Sequence, residues 1–417
     1  MFLSLSTQII DKNYQKKLKF SKMKKERRGI SRMQHEQEVP TDRLLKAKRV
    51  VIKVGSALLV ERGRLRRRWL DALAADIVAM RARGQQVALV TSGAVGIGRA
   101  ALGGVIRDLS DRQAAAAVGQ IRLFDAYRRA LARHGAVGAQ MLLTPGDTED
   151  RLRHLNARAT MEALLTRSII PIVNENDTVA FDKHKFGDND RLAARVGQLI
   201  SADLVVLLSD VDGLYEADPR SVPDAAHIPV VTAITPEIKA KAGRAGSSLG
   251  TGGMAAKIAA ASLALGAGSY MAIANGQKNG ALGALARGEA RATWFVPSSE
   301  PLTVRKQWIA ATVEPSGTII VDAGAVKALY AGNSLLSVGV TAVEGEFSLG
   351  DPVRVRSAMG QDIGIGLISY DSDDARIIAR KRSEHFEALL GYQGPDALIH
   401  RDNLAMTIHQ DAMEEAQ

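Results

Sequence analysis

A chain of 417 residues with 46% apolar content has room for two or three domains, and no stretch is long and apolar enough to span a bilayer. Zero cysteines exclude disulfides, thiol catalysis and thiolate metal sites, and agree with a reducing cytosol. The net charge of +10 invites a nucleic-acid reading, but ten Lys/Arg against Asp11 and Glu26 fall within residues 1–35, so the rest of the chain is close to neutral.

The basic stretch lacks the uninterrupted apolar core and small-residue cleavage site of a signal peptide. A disordered extension over 1–45, or a start at Met23 or Met33, accounts for it best. From residue 46 the pattern turns regular. Residues 48–54 (KRVVIKV) read as a buried strand and 65–83 as a helix, with apolar residues at Trp69, Leu70, Leu73, Ile77 and Met80. A strand at 86–90 ends in Thr91-Ser92-Gly93, and an Ala-rich helix covers 111–133. A strand at 137–143, a helix at 148–166 and a strand at 169–173 follow. Then come a helix at 192–200, a strand at 204–208, a helix at 253–265 and strands at 270–274 and 292–296. Strands alternating with helices, each strand almost continuously apolar, predict an α/β fold with a mostly parallel sheet sandwiched by helices.

After Pro297 the pattern changes. Short runs at 318–321, 352–355, 363–368 and 375–379, divided by Gly and Asp, predict a small, mostly β domain over 303–390 and a tail over 391–417. The boundary is expected in the Pro/Ser segment 297–301, leaving 46–297 as the larger α/β domain.

Chemistry concentrates where the parallel strands end, the ligand edge of such sheets. Residues 173–191 (VNENDTVAFDKHKFGDNDR) crowd Asn174, Glu175, Asn176, Asp177, Asp188, Asn189 and Asp190 into one loop. Amide donors, amide acceptors and fixed negative charge suit a small zwitterion or a cation better than a nucleic acid. Lys53 at the end of its strand is either a snorkelling side chain or a fixed positive charge at that edge. The glycines of 91–98 run G-x-x-G-x-G, which is not the dinucleotide fingerprint, and fit close backbone approach to a ligand with Ser92 offering a hydroxyl. GTGGMAAK at 250–257 opens a helix with glycines, an arrangement that binds phosphate, and Lys257 one turn further in can reach the same anion. Ser209-Asp210 follows the 204–208 strand, and LYEADPR at 214–220 is a polar connection able to flank an adenine. His400-Arg401-Asp402 imitates a protein-kinase loop without its Asn, and the eight His show no metal-binding spacing. No metal site is expected from side chains alone.

The order Lys53-Val54-Gly55-Ser56, Thr91-Ser92-Gly93-Ala94, Asn174-Glu175-Asn176-Asp177, Gly187-Asp188-Asn189-Asp190 and GTGGMAAK resembles the glutamate 5-kinases of the amino acid kinase family. Residues 303–390 resemble the PUA domain that many of them append. Ser209 departs from the pattern, in which Thr usually precedes the Asp; the hydroxyl is kept.

The resemblance implies a cytoplasmic enzyme that phosphorylates the γ-carboxylate of L-glutamate with ATP and Mg²⁺, opening proline synthesis. It further implies a homo-oligomer inhibited by proline, with a glutamyl phosphate reductase as a partner. It assigns Ser92, Asp177 and Asn189 to glutamate, and Lys53, Ser209, Asp210, Thr251, Gly252, Gly253, Met254, Ala255, Ala256 and Lys257 to ATP. Lys53 and Lys257 would clamp the transferring phosphoryl group, oriented by Asp190. Two alternatives stand beside it. One is a kinase of the same fold acting on N-acetylglutamate, aspartate or a nucleoside monophosphate. The other is an RNA-binding PUA protein, disfavoured because 303–390 carries more acidic than basic residues.

Overall fold

The computed structural model describes residues 40–407 except 62–63, 180–188, 244–252 and most of 300–314. The basic stretch 1–39, Thr251 and Gly252 therefore lie outside the described residues.

Eight strands form the main sheet: β1 (Arg49–Val54), β2 (Gln86–Val90), β3 (Gly138–Leu143), β4 (Ile170–Glu175), β5 (Leu204–Ser209), β6 (Val230–Val231), β7 (Tyr270–Asn275) and β8 (Ala292–Phe295). Their order is β6-β8-β7-β5-β1-β2-β4-β3. Every pairing is parallel except β7 with β8. The chain leaves β1 for β2 on one side and later returns to β5 on the other. This reversal opens a crevice beyond the carboxyl ends of the central strands.

Both faces of the sheet are covered. Val50, Ile52 and Val54 face one core beneath α1 (Arg67–Ala82) and the helix α3 (Leu109–Arg133), which follows the short α2 (Ala94–Gly98). Val51 faces the other core, beneath α4 (Arg151–Thr166), α5 (Asn189–Leu199) and α6 (Met254–Gly266). Alternation along a strand puts Lys53 on the same side as Val51. One short element lies outside the sequence expectation. Residues 40–46 form a helix whose Leu44 is buried and whose Arg43 guanidinium lies over the rings of Tyr270 and Trp294, so the folded body begins before residue 46.

The C-terminal unit is a five-stranded sheet of β9 (Gly317–Val321), β10 (Val340–Gly345), β11 (Pro352–Ser357), β12 (Asp362–Leu367) and β13 (Leu404–Met406), in the order β10-β9-β11-β12-β13. Two expectations are corrected here. The run 375–379 is not a strand but the end of a helix, α7 (Ser372–Ile378). Asp371 caps it by accepting from Asp374 N–H, acidic Asp373 and Asp374 suit its first turn, and Ser372, Ala375 and Ile378 bury one helical face. The domain also continues past 390: β13 pairs with β12, and Leu398, Ile399 and Leu404 belong to its core.

Candidate active site

Lys53 closes β1 at the carboxyl edge with its register partners Val90 on β2 and Leu207 on β5. Its Nζ lies 2.6 Å from Asp190 Oδ1, and Lys257 Nζ lies 3.1 Å from Asp190 Oδ2. Asp190 is 0% exposed, Lys257 4% and Lys53 7%. Two helices deliver these groups. Asp190 stands in the first turn of α5 rather than in a loop, because that helix starts at Asn189, and Lys257 stands one turn into α6. Among the described residues, these contacts set one carboxylate against two ammonium groups in a buried setting. Buried ammonium groups favour an anionic ligand beside them.

Gly253 caps α6 without a side-chain hydrogen bond, so the helix opens toward the same crevice with backbone donors and its positive dipole end. Met254 and Ala256 are half-buried there and Ala255 is exposed. Ser209 ends β5, buried, and donates to Asp210 Oδ1 at 2.9 Å. Asp210 is itself exposed, and its carbonyl accepts from Asn275 Nδ2 at 3.1 Å.

On the β2–β4 side the site is built of amides. Asn189 Nδ2 donates to Thr91 O at 2.6 Å, Ser92 Oγ at 2.8 Å and Asn174 Oδ1 at 3.0 Å. Asn174 Nδ2 in turn donates to Gln120 Oε1 on α3, at 2.8 Å. Thr91 Oγ1 donates to the Tyr127 hydroxyl, whose pKa burial pushes well above the usual range, so it stays a neutral prop. Asp177 sits in a small depression with Ala116, Gln120, Leu142, Glu175, Asn176 and Thr178, where Thr178 Oγ1 donates to Asn176 Oδ1 at 2.6 Å.

Glycines make this wall thin. Gly93 takes φ +99°, the left-handed turn that leads β2 into α2. A Cβ at Gly98 would fall on the carbonyl of Ala115, and one at Gly119 on the carbonyl of Ala94, so α2 and α3 meet backbone to backbone.

The fold thus gathers Lys53, Asp190 and Lys257 into one cluster and joins Ser92 to Asn189 by a hydrogen bond. It places Asp177 on a neighbouring wall and Ser209 and Asp210 at the end of β5. Gln120 was missed by the sequence reading. It lies on an Ala-rich helix, and its partner Asn174 is 54 residues away. The adjacent Gly119 was the one local sign that this turn of the helix approaches something closely.

The Amino acid kinase family model matches residues 48–275, and the PUA domain model matches 317–390. The chain is 53% identical over 366 residues to the glutamate 5-kinase of Paramagnetospirillum magneticum, covering 87% of this chain and 99% of that protein. It is 53% identical over 369 residues to the glutamate 5-kinase of Paracoccus denitrificans, covering 88% and 99%. Among solved structures, the carbamate kinase of Giardia lamblia bound to AMP-PNP superposes with a TM-score of 0.45 at 18% identity, over 61% of this chain and 100% of that one. The chain belongs to the amino acid kinase family and, within it, to the glutamate 5-kinases.

Proposed function

We propose that the Lys53–Asp190–Lys257 cluster is where the γ-phosphoryl group of ATP passes to the γ-carboxylate of L-glutamate. The observation that carries this reading is a buried carboxylate held between two buried ammonium groups at the ligand edge of the sheet. A γ-carboxylate is already ionised at neutral pH, so the reaction asks for no general base. One carboxylate oxygen attacks the γ-phosphorus, the bond from that phosphorus to the ADP oxygen breaks, and an acyl phosphate leaves with ADP. Catalysis then consists of aligning two anions and neutralising the charge on the transferring group. Lys53 and Lys257 supply that charge from opposite flanks, and Asp190 fixes both ammonium groups so that little reorganisation remains. The product opens proline synthesis.

ATP is assigned to the α6 side. Ser209, Asp210 and the first turn Gly253–Lys257 line it, and Thr251 and Gly252 precede that turn in sequence. Among the described residues no cluster of three His, Cys, Asp or Glu is arranged to hold a metal. Mg²⁺ is assigned to the phosphates of ATP, the usual mode of binding for this ion in phosphoryl transfer. Glutamate is assigned to the amide-rich side. The Ser92 hydroxyl accepts from Asn189 and so keeps its own proton for a ligand oxygen. Asn189 Oδ1 is buried with no hydrogen-bond partner among the described residues, an acceptor facing a site for an ammonium donor. Asp177 supplies the matching negative charge.

Homo-oligomerisation, inhibition by proline and docking of a glutamyl phosphate reductase are supported by family resemblance alone. No helix among the described residues is long and apolar enough to cross a membrane. Steady-state assays with glutamate, N-acetylglutamate and aspartate, trapping acyl phosphate with hydroxylamine, test the reading in the parent chain and in Lys257→Met. Loss of turnover with glutamate in a folded Lys257→Met protein supports the placement. Near-parental turnover overturns it.

A further inference from the structure

We infer that the side-chain amide of Gln120 is the donor that holds the α-carboxylate of glutamate, and so helps the enzyme select an α-amino acid. The inference rests on the placement of glutamate against Ser92, Asp177 and Asn189. It begins with the orientation of three amides. Asn189 Nδ2 donates to Asn174 Oδ1, so the Asn174 amide turns its nitrogen toward α3. Gln120 Oε1 accepts from that nitrogen at 2.8 Å, which turns Gln120 Nε2 the other way. Gln120 Nε2 is buried and finds no hydrogen-bond partner among the described residues.

A buried N–H without an acceptor is disfavoured, and a bound oxygen resolves it. Gln120 borders the depression that also holds Asp177. The ammonium and the α-carboxylate of glutamate branch from one carbon, so a group that binds the carboxylate must stand beside the acceptor of the ammonium. The charged side chains around this depression, Glu175 and Asp177, are acidic and repel a carboxylate. The Thr178 hydroxyl already donates to Asn176. Gln120 is the amide whose donor lies buried at this wall, and the glycine contact beside it, Gly119 against Ala94, fixes how far it projects. It touches the substrate end remote from the transferring phosphoryl group and adds positioning and specificity, not chemistry at phosphorus.

The test is Gln120→Glu in the full chain, assayed with L-glutamate and with its α-amide, L-isoglutamine. The substitution keeps the shape and the acceptor toward Asn174 but replaces the N–H with a carboxylate oxygen. We expect kcat/KM for glutamate to fall on the order of 100-fold, since a site built to hydrogen-bond one group rejects its mismatch strongly. The α-amide offers N–H groups to the new carboxylate, so its kcat/KM should hold or rise, and the parent preference for glutamate should shrink by a similar factor. KM for ATP should stay within about twofold. Equal losses for both acceptors would overturn the proposal, because Gln120 would then act only through Asn174. Should Gln120→Glu fail to fold, Gln120→Met removes the donor without adding charge and must also narrow the preference. If Asp177→Asn leaves the KM for glutamate unchanged, the placement of glutamate itself fails, which separates that error from an error about Gln120.

Discussion

The two units of this chain treat charge in opposite ways. The eight-stranded unit buries Lys53, Lys257, Asp190, Glu175 and Arg158. Among the described residues of the C-terminal unit, the buried polar side chains are two serines, Ser337 and Ser372, and both are hydrogen-bonded. Its ion pairs, such as Arg354 and Arg356 with Asp362 or Arg376 with Glu346, lie at the surface. Burying ions is expensive, and replacing them with apolar residues of similar size often stabilises a protein. A fold that keeps three charges in contact at the end of its central strands keeps them for use. Among its described residues the C-terminal sheet carries no such expense.

The sharpest way to break this contrast is Asp190→Ala. It removes the group that both lysines share, and stripping one side from a buried ionic cluster costs about 3–5 kcal/mol. Urea unfolding should show that loss, with turnover reduced below the detection limit of hydroxylamine trapping; a stable, active variant would mean the burial is incidental. Lys257→Met should cost less in stability and lower kcat by roughly 10²–10³, the scale of a single electrostatic donor to a transition state. Asp177→Asn should raise the KM for glutamate by about tenfold while that for ATP changes little; an equal rise in both would move Asp177 to the nucleotide side.

In the other unit the expected effects are small. A chain ending at Ser298 should fold and form acyl phosphate within a few-fold of the full-length rate, because every charged group assigned to chemistry precedes it. A soluble but inactive product would place an essential residue beyond that point. Asp362→Asn should change stability by less than about 1 kcal/mol at neutral pH and leave kinase kinetics unaltered. The hydrogen bond from Arg356 leads the interactions that hold the Asp362 carboxyl below the usual range. Its contribution is therefore present above the unfolded-state pKa and is lost as pH falls through the lower folded-state value, where parent and variant should converge.

Much of the first unit could be read from sequence because its strands are buried on both faces and appear as continuous apolar runs. A lysine closing one run and glycines opening a helix stood out against that background. What binds them together did not. Asp190 meets Lys257 across 67 residues, and no local pattern encodes such a distance. The amide chain from Asn189 to Gln120 is hidden for the same reason. The second unit was harder. In 375–379 the pair Ile377-Ile378 favoured a strand by propensity, while the capping Asp371 and the buried Ser372, Ala375 and Ile378 impose a helix. The three-residue β13 carries too little pattern to be told from a tail until its pairing with Gly364–Gly366 is seen.

The glycine contact between α2 and α3 has a consequence for how this pocket can change over time. Ser92 leads into α2 and Gln120 sits on α3, and the spacing of those helices is set by carbonyl oxygens against glycine Cα atoms. Side chains such as Ala116 and Leu142 can be trimmed or enlarged by single methyl groups, which gives graded control of the room for an acceptor. The backbone contact has no such gradation, since even alanine at 98 or 119 must force the helices apart and shift both walls together. Misplacement of about 1 Å is enough to lose two orders of magnitude in rate. Variants selected for a bulkier acceptor should therefore collect changes at 116 and 142 and keep glycine at 98 and 119, so that the breadth of the pocket acts as a fixed gauge around which its depth is free to drift.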